Sequence, residues 1–139
     1  MTQEDKELLL KDLSARLPYN VKIHIKGEYK TPHTIFSIYV EDKTVGYFKG
    51  LQYNEEFIKN IKPYLRPMSS MTEEEKEEFN KIKESVEAKF INAINDDGFT
   101  LAYYELIDWL NKHHFDYRGL IFRGLALEAK DGMYNNNIQ

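Results

Sequence analysis

Between Gln3 and Leu17 apolar residues recur every three or four positions, at Leu9, Leu10, Leu13 and Leu17, while Lys6, Lys11, Asp12 and Arg16 take the other faces. That spacing predicts an amphipathic helix over 3–17, stopped by Pro18. The period then shortens to two. Val21, Ile23 and Ile25 alternate with Lys22, His24 and Lys26, and two more β-type runs follow, Thr34 to Val40 and Thr44 to Phe48. Lys26-Gly27-Glu28-Tyr29 and Glu41-Asp42-Lys43 between them have turn composition, so consecutive antiparallel strands are expected. Asn54 to Ile61 fits a short helix or a bent strand. Ile61 to Pro67 must be largely extended, because each proline restricts the residue before it, and its first half is expected to close the sheet. The strand region thus covers 20–66.

From residue 70 the longer period returns. Thr72 and Glu75 have the spacing of a reciprocal capping box, and a glutamate-rich first turn complements the helix dipole. Phe79, Ile82, Val86, Phe90, Ala93 and Ile94 mark one apolar face of a helix ending near Asn95, with Asp97-Gly98 as its stop. A third helix over about 100–112 is expected to bury Tyr103, Leu106, Ile107 and Leu110 with Trp109 beside them, so that Trp109→Ala should cost several kcal/mol, on the order of 3 to 5. Asp116 is placed to cap a short fourth helix through Tyr117, Leu120, Ile121 and Phe122, with Gly124 ending it. The helical region runs over 70–127, and 135–139 is expected to be a disordered tail. The whole reads as one α+β domain over 1–134: an N-terminal helix, a small antiparallel meander, possible as an SH3-like barrel, and a C-terminal helical layer packed on it.

Composition narrows the classes of function. A chain of 139 residues can bury a core without a staple, and it has no cysteine, which removes disulfides, thiol nucleophiles and Cys-ligated zinc together. The opening residues lack a basic leader, and no apolar run reaches the length of a membrane span, so a soluble, cytoplasmic protein is expected. The net charge of −4 argues against general nucleic-acid binding, yet its distribution is uneven. Cations dominate Val21 to Pro67 and glutamates dominate Met71 to Asp97, so the two halves are expected to attract.

Two places carry candidate chemistry. In the strand region lysines interleave with Tyr19, Tyr29, Phe36, Tyr39, Tyr47, Phe48 and Tyr53, which suits phosphates and stacked bases or a protein surface; the binding set is Lys22, Lys26, Tyr29, Tyr39, Tyr47 and Lys49. The competing account is that the aromatics fill a barrel and the lysines protect strand edges. The second place is His113, His114 and Asp116, with Arg118 beyond them. Adjacent helical histidines point about 100° apart, so they share an ion only if the helix ends between them, and no third ligand has a convincing spacing. Buried or capping histidines with Asp116 as an N-cap explain the same residues. Arg118 could hold an anion at a helix N-terminus or pair with Asp116 or Glu128. No cofactor and no metal are implied.

The landmarks Leu8-Leu9-Leu10-Lys11-Asp12-Leu13, Arg16-Leu17-Pro18-Tyr19, Ile61-Lys62-Pro63-Tyr64-Leu65-Arg66-Pro67-Met68-Ser69-Ser70-Met71-Thr72-Glu73-Glu74-Glu75 and the block Asp108 to Leu127 resemble those of short uncharacterised proteins of gut bacteria and their phages. The resemblance brings no activity. It implies an accessory role for a phage or mobile element, with the strand region as the variable part that meets the partner. The expected function is a non-enzymatic interaction module that binds a protein or a nucleotide-containing ligand through its strands. A nucleic-acid binder using the same face is the first alternative, and a metal-dependent hydrolase at His113, His114 and Asp116 the second.

Overall fold

The computed structural model describes residues 1–29, 31–92 and 97–134, with side chains outside 90–100. The tail expected over 135–139, together with Phe90, Ala93 and Ile94 of the expected apolar face, lies outside what is described. Helix α1 (Gln3–Arg16) opens with the Thr2 hydroxyl accepting from the Asp5 amide while the Asp5 carboxylate accepts from the Thr2 amide, a complete capping box. A 3-10 turn at Leu17–Tyr19 carries Pro18, and Asn20 follows in the left-handed region at φ 59°.

The strands are β1 (Lys22–Ile25), β2 (His33–Tyr39), β3 (Thr44–Lys49), β4 (Gln52–Phe57), β5 (Ile61–Leu65) and β6 (Leu127–Glu128). Their order across the sheet is β4-β3-β2-β1-β5-β6, antiparallel throughout except for the parallel β5–β6 pair. The meander expected from the alternation is therefore present. The barrel is not: β5 returns beside β1, leaving β4 and β6 as the two edges of an open sheet. The 54–61 segment divides, its first half continuing β4 and its second forming a 3-10 turn at Ile58–Asn60.

One sheet face is buried by α1. Leu9 and Leu13 pack against Val21, Ile23, Ile25, Ile35, Val45, Tyr47, Ile61 and Leu65, and Leu120, Leu125 and Ala126 complete the cluster from the C-terminal segment. Helices α2 (Glu73–Asn92) and α3 (Asp97–Lys112) pack chiefly on each other. Their shared cluster centres on Met71, Leu110 and Phe115. So the class is α+β as the periodicity indicated, but the layer on the sheet is α1 and the 120–126 segment. Tyr103 is about half exposed rather than core, and Trp109 is only half-buried at the margin of the second cluster. An i,i+4 neighbour set places a residue on a helix face without fixing how deeply the partner covers it.

The fourth helix does not form. After Asp116 the chain makes turns, in which both Asp116 oxygens accept backbone amides, from Leu120 and Ile121 at 2.9 Å each. The carboxylate does what an N-cap does, but Gly119 at φ 73° and Gly124 at φ 75° bend the chain before a helical ladder can propagate.

Candidate functional site

The sheet face opposite α1 carries aromatic side chains where β2, β3 and β4 meet. In β2 the register shifts between Ile35, opposite Tyr47, and Ser37, opposite Gly46, so two steps of β2 span one of β3. This bulge frees Phe36 from the strict alternation and brings its ring to 5.1 Å from that of Phe48, edge to face. Phe48 stands directly across from Tyr53 in the β3–β4 ladder, with ring centroids 5.5 Å apart. The Tyr53 hydroxyl bonds those of Tyr39 (2.8 Å) and Ser37 (3.1 Å). Tyr53 can reach across β3 because residue 46 is glycine: a Cβ there would run into the Ser37 and Tyr53 hydroxyls. Phe57 follows on β4, opposite Thr44, with the Lys59 ammonium 5.5 Å from its ring centroid. Phe36 remains 64% exposed, Phe48 44% and Tyr39 41%, so side chains ordered by mutual contact stay open to water. A contiguous exposed apolar patch of this kind is what a binding face presents.

The expected binding residues are distributed unevenly about this face. Tyr39 belongs to it. Tyr29, almost fully exposed, and Lys49 line a hollow of about 410 Å³ that Phe48 also lines, beside the patch. There Glu28 accepts from Lys49 (3.0 Å) and meets His33 Nε2 at 2.8 Å; these two bonds, His33 first, lower the Glu28 pKa. Lys22 is half-buried on β1, its ammonium 3.5 Å from the Thr34 hydroxyl. Tyr47 corrects the sequence reading: pairing with Ile35 turns it into the core, where it is 6% exposed against His33. Lys26 lies apart, at the β1–β5 end of the sheet. Phe36, Phe48 and Tyr53 stood among the interleaved aromatics but not in the binding set, and Phe57 stood in neither. Their signal was an apolar side chain on both faces of the same strands, one more set than a single core needs.

The block after α3 has a different character. His114 takes φ 63° as the residue just beyond the helix, with its amide donating to the Asn111 carbonyl and the Phe115 amide donating to the Leu110 carbonyl. These two bonds are a Schellman stop with histidine in glycine's usual place. The stop sends the two histidines to separate surroundings. His113 Nδ1 is 3.4 Å from Glu75, while His114 is buried and stacks on Tyr134 at 3.6 Å between ring centroids. Burial, reinforced by the nearby Arg16 charge, pushes the His114 pKa down to about 3. Asp116 is committed to its amides, and Arg118 reaches Asp12 at 3.3 Å. Among the described residues no three His, Asp or Glu side chains converge as metal ligands.

An ion pair between the basic and acidic halves lies beside this block. Arg66 donates from both terminal nitrogens to Glu75 at 2.7 Å, fork to fork, and the Thr72–Glu75 capping box forms around the same carboxylate. Burial acts to raise the Glu75 pKa, but the Arg66 and Thr72 bonds together outweigh it and bring it down to about 2. A depressed folded-state pKa means stability that is present above the unfolded value and lost as pH falls toward the folded one. His114 acts in the same direction: it stays neutral in the folded chain while the unfolded chain takes up a proton below its ordinary pKa of 6.5. Thermal melts of wild type and Glu75→Gln should show the wild type more stable at neutral pH, with the gap closing between about pH 4.5 and 2. A gap constant over that range would remove Glu75 from the account.

Comparison with protein-family models, with curated proteins and with solved structures finds no match.

Proposed function

We propose that this protein is a non-enzymatic interaction module, serving a phage or mobile element, which binds a protein partner through the uncovered aromatic face of β2, β3 and β4. The observation that carries the reading is the set Phe36, Tyr39, Phe48 and Tyr53, held by ring contacts and hydroxyl bonds yet exposed. Rigid aromatic anchors supply contact area at low entropic cost, which is why such residues dominate protein interfaces. The charges around them favour protein over nucleic acid. Glu55 lies opposite Gly46 within the patch, and Lys49, in the hollow beside Phe48, is already neutralised by Glu28. A phosphate backbone laid over Phe36, Phe48 and Tyr53 would meet the Glu55 carboxylate, with the Lys59 ammonium only at the Phe57 end of the face.

The test is recovery of the tagged protein from its native host, compared with a Phe36→Ser/Phe48→Ser variant, followed by a titration of the purified partner against both. A stoichiometric protein partner should bind wild type at least about tenfold more tightly, since loss of two anchors removes more than 1.4 kcal/mol. The melting temperatures should differ by only a few degrees, because both rings are outside the core. A partner held equally by the variant would overturn the reading. Recovery of nucleic acid whose binding collapses with salt would replace it with the nucleic-acid alternative.

A further inference from the structure

At the other end of the sheet the first turn of α1, the β1–β5 ends and the 123–127 segment enclose a cleft of about 710 Å³. Lys26, Lys59, Lys62 and Arg123 line it against a single carboxylate, Asp5. Ile61, Leu125 and Leu127 supply apolar lining. In a chain whose net charge is −4, this concentration of cations does not follow from composition. Among the described residues no carboxylate lies within ion-pair distance of the Lys26, Lys59 or Lys62 ammonium groups. Asp5 is already shared between the Thr2 amide and Arg123. Like charges converging on one cleft repel, and a bound polyanion would relieve that repulsion.

The backbone leaves room for such a ligand. The turn after β1 needs φ 86° at Gly27, and a Cβ there or at Gly124 would meet nothing within 4 Å. Both residues line the cleft, so its wall is peptide rather than side chain at these points. His24 also lines it, and its buried Nδ1 has no hydrogen-bond partner among the described residues. The N-terminal end of α1, a 14-residue helix, adds its positive dipole end to the same side.

We infer that this cleft binds a small phosphate monoester carrying an apolar body, its phosphate held among Lys26, Lys62 and Arg123 and its body against Ile61, Leu125 and Leu127. Several separated point-charge donors match the three oxygens and near-double charge of a phosphate better than the two oxygens of a carboxylate. Lys59 stands between this cleft and Phe57 at the end of the aromatic face, but the inference does not depend on the function proposed for that face.

The test is an amide-resolved NMR titration of the full chain with hexyl phosphate, hexanol, hexanoate and inorganic phosphate. Hexyl phosphate should give saturable shifts at Gly27, Asn60, Lys62 and Gly124 with a dissociation constant at or below about 1 mM, a modest affinity for a site of this kind. Hexanol and inorganic phosphate should each bind at least about tenfold more weakly, having only half of the complementary chemistry. Lys26→Gln/Lys62→Gln, which alters two exposed side chains, should weaken hexyl phosphate by about tenfold or more while the spectrum remains folded. Shifts that do not saturate, or a variant that binds as wild type does, would overturn the proposal. Equal binding of hexanoate would overturn the assignment to phosphate.

Discussion

Asp12→Ala is expected to lower stability by about 3 to 5 kcal/mol, the cost of stranding a buried charge. Asp12 and Arg16 are both fully buried, one turn apart on α1. The Arg16 Nε donates to Asp12 at 2.8 Å and one terminal nitrogen donates to it at 3.2 Å. That same nitrogen donates to the Phe115 carbonyl at 2.7 Å, from the other end of the chain. Arg118 approaches Asp12 from a third direction, and Tyr117 lies with its ring centroid 5.2 Å from each guanidinium. Removing the carboxylate leaves Arg16 in the core with the Phe115 carbonyl as its remaining hydrogen-bond acceptor, since its other terminal nitrogen has no partner among the described residues. The melting temperature should fall by roughly 10 to 20 °C for a chain of this size. Asp12→Leu/Arg16→Met, which removes both charges, should be less damaging than Asp12→Ala alone, because the large penalty belongs to the unpaired charge rather than to loss of the pair. If both variants melt within about 3 °C of wild type, the buried network does not fasten α1 to the C-terminal block.

This network also marks the limit of what the chain shows without its fold. On a helix of period 3.6, Asp12 and Arg16 read as the polar face of an amphipathic element, and the spacing of Leu9, Leu10, Leu13 and Leu17 supports that reading. Only the arrival of residues 115–118 converts that face into a second buried seam. The partner of Arg118 is equally illegible: Asp116 and Glu128 were near in sequence, whereas Asp12 is near in space. Local signals fared better. The Thr72–Glu75 box, the stop at Pro18 and the strands flanking Gly27 all depend on a few adjacent residues, and all are present. Sheet closure depends on which distant strand pairs with β1, and alternation does not encode that.

The candidate face was half legible for a related reason. Alternation identified the strands but not which alternate set faces α1, because both sets are apolar: Ile35, Val45 and Tyr47 on one side, Phe36, Phe48 and Tyr53 on the other. The bulge at Phe36 shifts the phase within β2. Tyr39 was therefore assigned to the right side and Tyr47 to the wrong one. The histidine block was legible as distinctive and illegible in purpose. A Schellman stop is normally announced by glycine, and here histidine occupies the left-handed position because its ring gains the Tyr134 stack. Tyr134 in turn accepts from the Lys22 amide and donates to the Tyr64 carbonyl, bridging β1 and β5. What reads as concentrated chemistry in the sequence is a junction between the sheet and the helical hairpin.

The second large effect follows from that junction. Phe115→Ala should cost about 3 to 5 kcal/mol, the range for a buried aromatic, and should cost more than Trp109→Ala. Composition alone favours the opposite order, since Trp109 is the only tryptophan and the larger ring. The structure reverses it. Phe115 has no exposed surface, stacks on Trp109 at 5.7 Å and carries the Arg66 guanidinium 4.2 Å from its ring centroid. Its backbone joins the Schellman stop and accepts from Arg16, and it bridges in parallel to Arg66. Trp109 is half-buried, with its indole nitrogen donating to the exposed Glu78 at 3.0 Å. Truncating it uncovers one side of a cluster, at roughly half the cost of emptying the centre. Truncating Phe115 removes the side chain that the hairpin, Arg66 and Trp109 all contact, and leaves a cavity that the Schellman turn cannot collapse to fill. Equilibrium denaturation of the two variants decides the order. A Trp109→Ala loss equal to or larger than that of Phe115→Ala would mean that the hairpin is held by its surface ring and that the Arg66–Phe115 contact contributes little.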